Sequence, residues 1–299
     1  MRRLSMRMPN KSSLRKISNI LKQLNRDKRA VVGFSILSIY IFMATIGPEI
    51  IPLDLSAHLD KVFAPPSLEN PLGTDYAGRD ILAMLVHGSR NVLLTAALTG
   101  LITIALAMTL GLTSGYLGGK VDAAISALMD IFLTIPSMPL LIVITSAIRM
   151  RTANPFIISF ILSIVSWPSV SRSIRAQVLP IKERAFIEAA RALGLPRRHI
   201  IFREILPNVL PYIVLNYIFT LRNAIYAQVG LFFIGALPLE TVNWGVMLNL
   251  ALSRSGALYG IKGVYYLLAP IICISLLQVG LILLAGGLEK LLNPRLREE

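Results

Sequence analysis

The chain has 299 residues, of which 55% are hydrophobic and only 15% charged, and its mean hydropathy is +0.66. This composition excludes an ordinary water-soluble domain, in which about a quarter of the residues are charged. The formal net charge of +14 would by itself suggest nucleic-acid binding, so the positions of the basic residues decide what that charge means.

Six apolar blocks are each long enough to cross a hydrocarbon layer of ~30 Å, which takes about 20 helical residues. The blocks are continuously apolar, whereas barrel strands alternate apolar and polar residues over about 10 positions. The sequence therefore predicts an all-α polytopic membrane protein with six transmembrane helices. These span roughly 30–50, 92–118, 122–148, 156–179, 208–236 and 264–288.

The basic residues follow the positive-inside rule. Ten lysines and arginines precede or begin the first block, against the single acid Asp27, while the loop 49–90 carries six acidic and three basic residues. This asymmetry predicts a cytoplasmic tail over 1–29, and an even number of spans returns the C terminus to the cytoplasm. A first helix with an external loop then covers 30–91 and a five-helix core covers 92–299. The surplus charge is a topology signal with some attraction to anionic lipid, not a nucleic-acid site.

No pattern for catalysis, metal binding or nucleotide binding is present. The three histidines are scattered, neither HExxH nor GxSxG occurs, and the glycine-rich GYLGGKVD departs from the phosphate-loop pattern at two positions. The single cysteine, Cys273, excludes an internal disulfide and is expected to pack as a small hydrophobe. The sequence predicts no enzyme activity, no metal and no cofactor bound by this chain.

A polar and basic insert over 188–208, EAARALGLPRRHIIFREILPN, separates the fourth and fifth blocks. Apolar residues at helical spacing predict a short helix with one apolar face. These are Phe186, Ala189, Ala190 and Leu193. Gly194 and Pro196 stop this helix, and a second short helix ends at Pro207. Such an elbow suits docking into a groove of a cytoplasmic partner; an amphipathic loop on lipid headgroups is the alternative.

The insert resembles the EAA signature of permease subunits of binding-protein-dependent ABC importers. The match consists of Glu188, Ala189, Ala190, Gly194, Leu206 and Pro207. Glu204 departs from the general pattern, which usually has isoleucine there, but the dipeptide, oligopeptide and nickel branch tolerates a polar residue.

Three other stretches resemble that branch, and specifically its subunit with a GTDxxGRD external loop. They are NPLGTDYAGRDILAMLVHGSRNVLL over 70–94, GLTSGYLGGKVDAAISALMDIFLTIPSMPLL over 111–141 and AQVGLFFIGALPLETVNWGVML over 227–248. Gln228 stands where the branch usually carries glutamate, so an acid-dependent role at that position does not carry over.

The resemblance implies a type I ABC importer permease fold and a coupling loop over 180–207 that docks on the ATPases. The residues it implicates are Glu188, Ala189, Ala190, Gly194, Leu195, Pro196, Arg197, Arg198, Leu206 and Pro207. Implied partners are a homologous second permease subunit, two cytoplasmic subunits that bind ATP and Mg, and an external substrate-binding protein. Peptides are the expected cargo, with oligosaccharides or nickel as alternatives. An ATP-independent secondary transporter would instead show internal repeats and ion-coupling charges, which the sequence lacks.

Polar residues inside the apolar blocks need an account, because charge in lipid is costly. Arg222 lies about fourteen residues, or roughly 21 Å of helix, beyond Asn208, and is expected to face the translocation path or pair with an acid in the partner permease. Asn216, Asn223 and Gln228 share its span and are expected to line that path.

Other features of the spans have structural interpretations. Asp130 is expected to bond neighbouring helices, whereas solvation and capping suffice for Asp122 at the hairpin turn. Prolines 136, 139 and 168 are expected to bend or break the third and fourth spans. The segment 237–263 is expected to face outside, with Trp244 touching the binding protein or belonging to an aromatic belt at the lipid interface.

Overall fold

The computed structural model describes residues 27–148, 150–255 and 263–292, so nearly all of the predicted basic tail lies outside the described residues. Within these ranges the chain is helical, and its β-structure is limited to one isolated bridge between Thr74 and Asp80. The helices are α1 (Lys28–Thr45), α2 (Gly47–Ile50), α3 (Ile81–Leu117), α4 (Gly119–Thr134), α5 (Ser137–Ile148), α6 (Pro155–Lys182), α7 (Ala185–Ala192), α8 (Arg197–Phe233), α9 (Trp244–Ser253) and α10 (Val264–Leu292).

Side-chain caps fix where several helices begin. The Asp27 carboxylate accepts hydrogen bonds from the amides of Arg29 and Ala30 at the start of α1. Asp80, Asn154 and Asn243 cap α3, α6 and α9 in the same way. Each caps an apolar run whose first amides would otherwise lack acceptors.

The helices pack into one bundle with α3 and α6 at its centre. The hydroxyls of Ser159 and Ser163 on α6 donate to the carbonyls of Thr95 and Thr99 on α3 at 3.0 and 3.1 Å. On the opposite side α1 lies so close to α10 that a β-carbon on Gly33 would come within 2.5 Å of the Leu284 amide. Such contacts matter in lipid, where apolar surface alone gives no preference for protein over lipid.

The predicted fold class is confirmed. Five helices are long and apolar enough to span a membrane, namely α1, α3, α6, α8 and α10. The pair α4–α5 satisfies the same test when counted together, which gives the sixth span, but its two halves meet at 89°.

The bend between α4 and α5 has a local cause in the sequence. Pro136 disfavours helical geometry in the residue before it, and Ile135 is accordingly extended, with φ −90° and ψ 127°. The third span is thus broken near the prolines, as expected. In contrast, α6 continues through Pro168 without a break in its helical assignment.

The second span begins at Ile81, whereas the sequence predicted a start near 92 and assigned the preceding residues to the external loop. Polar side chains at 87–91 caused this error. In the structure they find partners inside the protein: His87 Nε2 lies 2.8 Å from the Ile51 carbonyl, and the Asn91 amide donates to the Val242 carbonyl at 2.9 Å. Because these groups are satisfied, the helix extends through them.

The sequence predicted that the second arm of the elbow is a separate short helix that ends at Pro207, and this prediction is wrong. It is the first part of α8, which runs unbroken from Arg197 to Phe233 and is π-helical over Ile200–Ile205. Pro207 has no amide to donate to the preceding turn, and the wider π turn accommodates this. The side-chain amide of Asn208 donates to the Glu204 carbonyl at 2.6 Å.

The segment after α8 contains helix α9, and Trp244 at its first position is fully buried. The Trp244 indole N–H donates to the Leu85 carbonyl at 3.0 Å, and the ring packs edge-on against Tyr40. Both surface roles expected for Trp244 are therefore corrected: the side chain fastens α9 to α3 within the core.

Candidate functional site

The elbow, defined here as residues 183–207, joins α6 to α8 through the short helix α7. Its corner is a Schellman turn, in which the Gly194 amide donates to the Arg191 carbonyl at 2.9 Å and the Leu195 amide to the Ala190 carbonyl at 3.2 Å. Gly194 has φ +70°, a conformation that glycine adopts without steric cost. Pro196 then precedes the first turn of α8, so the local sequence fixes the angle of the elbow.

One side of the elbow is anchored in the helix bundle. Ile187, Ile200 and Ile205 are fully buried, and Ala190 is nearly so. They share a hydrophobic cluster with residues of α3 and α6, including Leu112. Burying an isoleucine side chain contributes about 1.5–3 kcal/mol, so this anchor holds the elbow firmly to both helices.

The other side of α7 is exposed and partly apolar. The sequence predicted one apolar face containing Phe186, Ala189, Ala190 and Leu193; the structure divides these residues, because only Ala190 points into the bundle. Phe186 is 43% and Leu193 78% exposed, and Glu188 and Ala189 are exposed beside them. The elbow thus has a buried apolar face and a second, unpartnered one.

The structure brings the ten predicted elbow residues into one compact unit. Ala190 is buried and Leu195 and Leu206 are half-buried against the anchor. The exposed members are Glu188, Ala189, Gly194, Pro196, Arg197, Arg198 and Pro207.

Two ion pairs tie α4 to α6; the sequence predicted that Asp130 bonds neighbouring helices, but it indicated neither arginine partner nor the pairing of Asp122. Arg175 donates from Nε and Nη2 to the two carboxylate oxygens of Asp122 at 2.6 Å each. The Ser114 hydroxyl on α3 also donates to Asp122. About two turns further along α4, Asp130 pairs with Arg172, and both side chains are at least half exposed. The sequence did contain a signal for these pairs, because Arg172 and Arg175 lie inside the fourth apolar block.

The polar residues of α8 occupy different environments. The Asn216 amide is half-buried and donates to the Tyr212 carbonyl, whereas Asn223 is exposed. Gln228 is fully buried, with its amide donating to the Val92 carbonyl at 2.8 Å, so it lies in the packing between α8 and α3. The structure therefore does not bring Gln228 to the exposed face that carries Asn223.

Arg222 is half-buried near the middle of α8. Its Nε has no hydrogen-bond partner, and no ion pair involves it among the residues described. The Gln278 amide of α10 donates to its backbone carbonyl at 3.2 Å. The buried Nε of Arg222 is therefore an unsatisfied donor in this structure.

The stretch GTDYAGRD forms a clamp at the opposite end of the bundle from the elbow. The fully buried Asp75 carboxylate accepts from Arg79 Nε at 2.8 Å and Nη2 at 2.5 Å, and from the amides of Ala77 and Arg79. The Arg79 guanidinium also lies over the Tyr76 ring. Burial raises the pKa of Asp80, which caps α3 directly after the clamp. The motif therefore orders the long loop and starts α3.

Within the described ranges, no group of three His, Cys, Asp or Glu side chains is placed so that it could hold a metal ion.

Comparison with known families matches residues 107–298 to the family described as binding-protein-dependent transport system inner membrane component. This match covers the elbow, the ion pairs and all helices from the end of α3 onward.

Individual relatives extend the match towards the N terminus. The chain is 30% identical to the dipeptide transport system permease protein DppC of Bacillus subtilis over 279 residues, covering 92% of this chain and 85% of that protein. It is 29% identical to a putative peptide permease protein of Brucella suis over 77% of this chain and 76% of the relative. A putative peptide transport system permease protein of Brucella abortus is 28% identical over 93% and 92%.

Among solved structures, the MetNI methionine ABC transporter in an inward-facing conformation superposes with a TM-score of 0.53. The match covers 69% of this chain and 96% of that one at 21% identity, a likeness of fold.

Proposed function

The chain belongs to the family of binding-protein-dependent transport system inner membrane components, and on that premise we propose that it forms half of the path of an ATP-driven peptide importer. The peptide cargo is supported by the relatives named as peptide and dipeptide permeases. Their names favour peptides over the oligosaccharides or nickel that the sequence left open.

The observation that carries the proposal is the two-sided elbow. Its inner face is locked to α3 and α6, while Phe186, Ala189 and Leu193 offer an apolar outer face beside the exposed Glu188. A cytoplasmic ATPase that grips this outer face would move α6 and α8 with it, because the elbow is the direct connection between them. The elbow is thus proposed as the element that couples ATP hydrolysis to helix movement.

The proposed mechanism is alternating access. ATP and Mg bind to two cytoplasmic subunits, which favour one arrangement of the elbows of this chain and of a homologous second permease subunit. ATP can shift the equilibrium between two arrangements of the elbows only if it binds more tightly when one of them is adopted. That difference in ATP affinity resides in the ATPases. An external binding protein delivers the cargo, and the termini of this chain lie in the cytoplasm of a cell whose plasma membrane it spans.

Within this scheme the exposed face of α8 is proposed to line the path. Asn216, Arg222 and Asn223 supply amide and guanidinium groups to it, and the Arg222 guanidinium, which forms no ion pair among the described residues, binds cargo or an acid of the second permease subunit. Gln228 would join them only in another conformation, since it is buried here. Asp130 is proposed to be structural, holding α4 to α6 through Arg172.

The proposal is tested by purifying the importer with its ATPases and measuring cargo-stimulated ATP hydrolysis and uptake. Glu188→Arg reverses a charge on the outer face of α7, and Gly194→Pro destroys the corner. Both are expected to release the ATPases or to abolish stimulation. Glu289→Arg is the matched control, since it reverses an equally exposed carboxylate near the end of α10.

Retention of ATPase binding, stimulated hydrolysis and uptake in both elbow variants would make the elbow a headgroup anchor and remove the coupling role. Equal loss in the Glu289→Arg control would show that charge reversal disturbs the assembly nonspecifically.

A further inference from the structure

A strongly basic cavity of about 630 Å³ lies between the α3–α4 turn, the end of α6 and the elbow. Four cationic side chains line it, against the single carboxylate of Glu183. They are Lys120, Lys182, Arg191 and Arg197. The only ion pair recorded for these cations within the described ranges is the 4.0 Å contact of Lys182 with the largely exposed Glu183. The cavity therefore carries a net positive charge, which Glu183 neutralises only in part.

Two of the four cationic side chains, Arg191 and Lys182, are held by the surrounding structure. The Arg191 guanidinium lies over the Tyr116 ring, 5.4 Å from its centroid, and donates to the Lys182 carbonyl at 3.4 Å. Lys182 is itself only 21% exposed. This arrangement reduces the entropy lost when an anion is bound.

An apolar groove of about 380 Å³ lies further along the same two helices, α3 and α8. It is lined by Leu112 and Met108 of α3, one and two turns before Tyr116, and by Ile201 and Phe202 of α8, next to Ile200 of the cavity. Residues four apart share a helix face, so the cavity and the groove lie on one continuous surface of α3. Because α3 ends at the cavity, the groove lies closer to the middle of this helix. The groove is therefore deeper in the membrane than the cavity.

From this juxtaposition we infer that the back of the elbow binds an anionic phospholipid, its phosphate among the four cations and an acyl chain in the groove. The order of the two parts matches a lipid of the leaflet on the elbow side. The inference rests on the proposed cytoplasmic position of the elbow, where the leaflet surface is negative.

The apolar groove distinguishes this occupant from two others. A soluble phosphate would occupy the cavity and leave the apolar groove empty. An acidic segment of an ATPase would likewise occupy only the cavity, and the apolar groove would then stay exposed to water. A phospholipid satisfies both parts at once, and it would stiffen the base on which the elbow pivots.

Lipid binding is tested by native mass spectrometry of the full chain, purified in non-ionic detergent with the subunits that accompany it, during titration with phosphatidylglycerol or phosphatidylcholine. We expect a preference for phosphatidylglycerol. The double variant Lys120→Gln, Lys182→Gln should weaken its binding by roughly tenfold or more, since a cation near anionic lipid contributes about 1 kcal/mol. The control Lys28→Gln, Lys290→Gln removes two exposed lysines from the same end of the bundle and should change little.

The groove is tested with Ala105→Phe, which fills its far end and should weaken phosphatidylglycerol binding while leaving the lysines intact. Glycerol phosphate at millimolar concentration should not displace the lipid; full displacement would show a site for soluble phosphate and overturn the inference. Equal weakening by both lysine pairs would also overturn it, because binding would then follow overall charge.

Loss of the ATPases from the Lys120→Gln, Lys182→Gln variant, with lipid binding unchanged, would assign the cavity to ATPase docking and overturn the lipid site. The lipid titration reads binding directly and the hydrolysis assay reads coupling, so failure of one does not imply failure of the other.

Discussion

Gly78 occupies a position in the GTDYAGRD clamp that no other residue can take without distortion. Its φ is +78°, and an added β-carbon would collide with the backbone carbonyl of His58. Gly235 has nearly the same φ, +76°, but open space around it. Substitutions at Gly78 and Gly235 can therefore be compared. The comparison separates the free-energy cost of the left-handed backbone from that of the collision with His58.

We predict that Gly78→Ala lowers the free energy of unfolding by about 2–5 kcal/mol, the sum of left-handed strain and overpacking. Gly235→Ala should cost only the strain, about 1–2 kcal/mol. Denaturant unfolding of the purified chain in detergent measures both. Equal losses would contradict the contact between Gly78 and His58.

The sequence predicted single residues well where the cause is local. The role of Gly194 follows from a glycine two residues before a proline at the end of a helical pattern, and the structure places it at φ +70°. The partnership of Asp122 with Arg175 joins positions 53 apart, and nothing in the neighbouring sequence indicates it. The burial of Trp244 likewise depends on a carbonyl of α3 that no local pattern reveals.

At the level of elements, α4 is the most weakly packed span, since Met129 is its one buried residue. Its attachment to α6 therefore depends strongly on the Asp122–Arg175 and Asp130–Arg172 pairs. The first pair is mostly buried and makes two direct hydrogen bonds, while the second is at least half exposed. Screening by water weakens an exposed pair, so the two should differ in strength.

A double-mutant cycle with Asp122→Asn and Arg175→Gln is predicted to give a coupling energy of about 1–3 kcal/mol, as expected for residues in direct contact. The cycle with Asp130→Asn and Arg172→Gln should give less. Unfolding in detergent supplies the four free energies of each cycle. A coupling near zero for the first pair would show that apolar packing alone holds α4.

Element boundaries were predicted best where composition changes abruptly. The fourth and sixth spans, predicted at 156–179 and 264–288, are observed at Pro155–Lys182 and Val264–Leu292. The start of α3 was missed because the polar residues at its beginning are satisfied by distant backbone carbonyls. The continuity of α8 was missed because a π-helical turn accommodates Pro207, which a regular α-helix would not predict.

For the whole molecule, the broken span and α8 leave large apolar side chains uncovered. Ile131 is 61% and Val143 65% exposed on α4 and α5, and Phe219 and Tyr226 are exposed on α8 near the polar Asn223. A surface that mixes large apolar groups with amides suits a second subunit and an aqueous path better than lipid alone. The sequence of one chain cannot define this surface, because in the proposed function the path is completed by another chain.

The last prediction concerns that path and uses the single cysteine of the chain. Cys273→Ala gives a cysteine-free background, and it spares the hydrogen bond from Tyr40, which goes to the backbone carbonyl of residue 273. In this background Asn223→Cys is expected to react with a charged thiol reagent in the assembled importer, with a rate that changes when ATP is added. Gln228→Cys should be protected in the conformation described here, because Gln228 is fully buried.

A third variant, Ile39→Cys, separates water from lipid. Ile39 is 64% exposed on α1, but we expect lipid around it, so a charged reagent should not reach it. Reaction at position 223 together with protection at position 39 would show that water reaches this part of α8 and does not reach this part of α1. Protection of 223 in every nucleotide state would remove α8 from the path, and Arg222 would then be expected to pair with an acid of the second subunit in a dry interface.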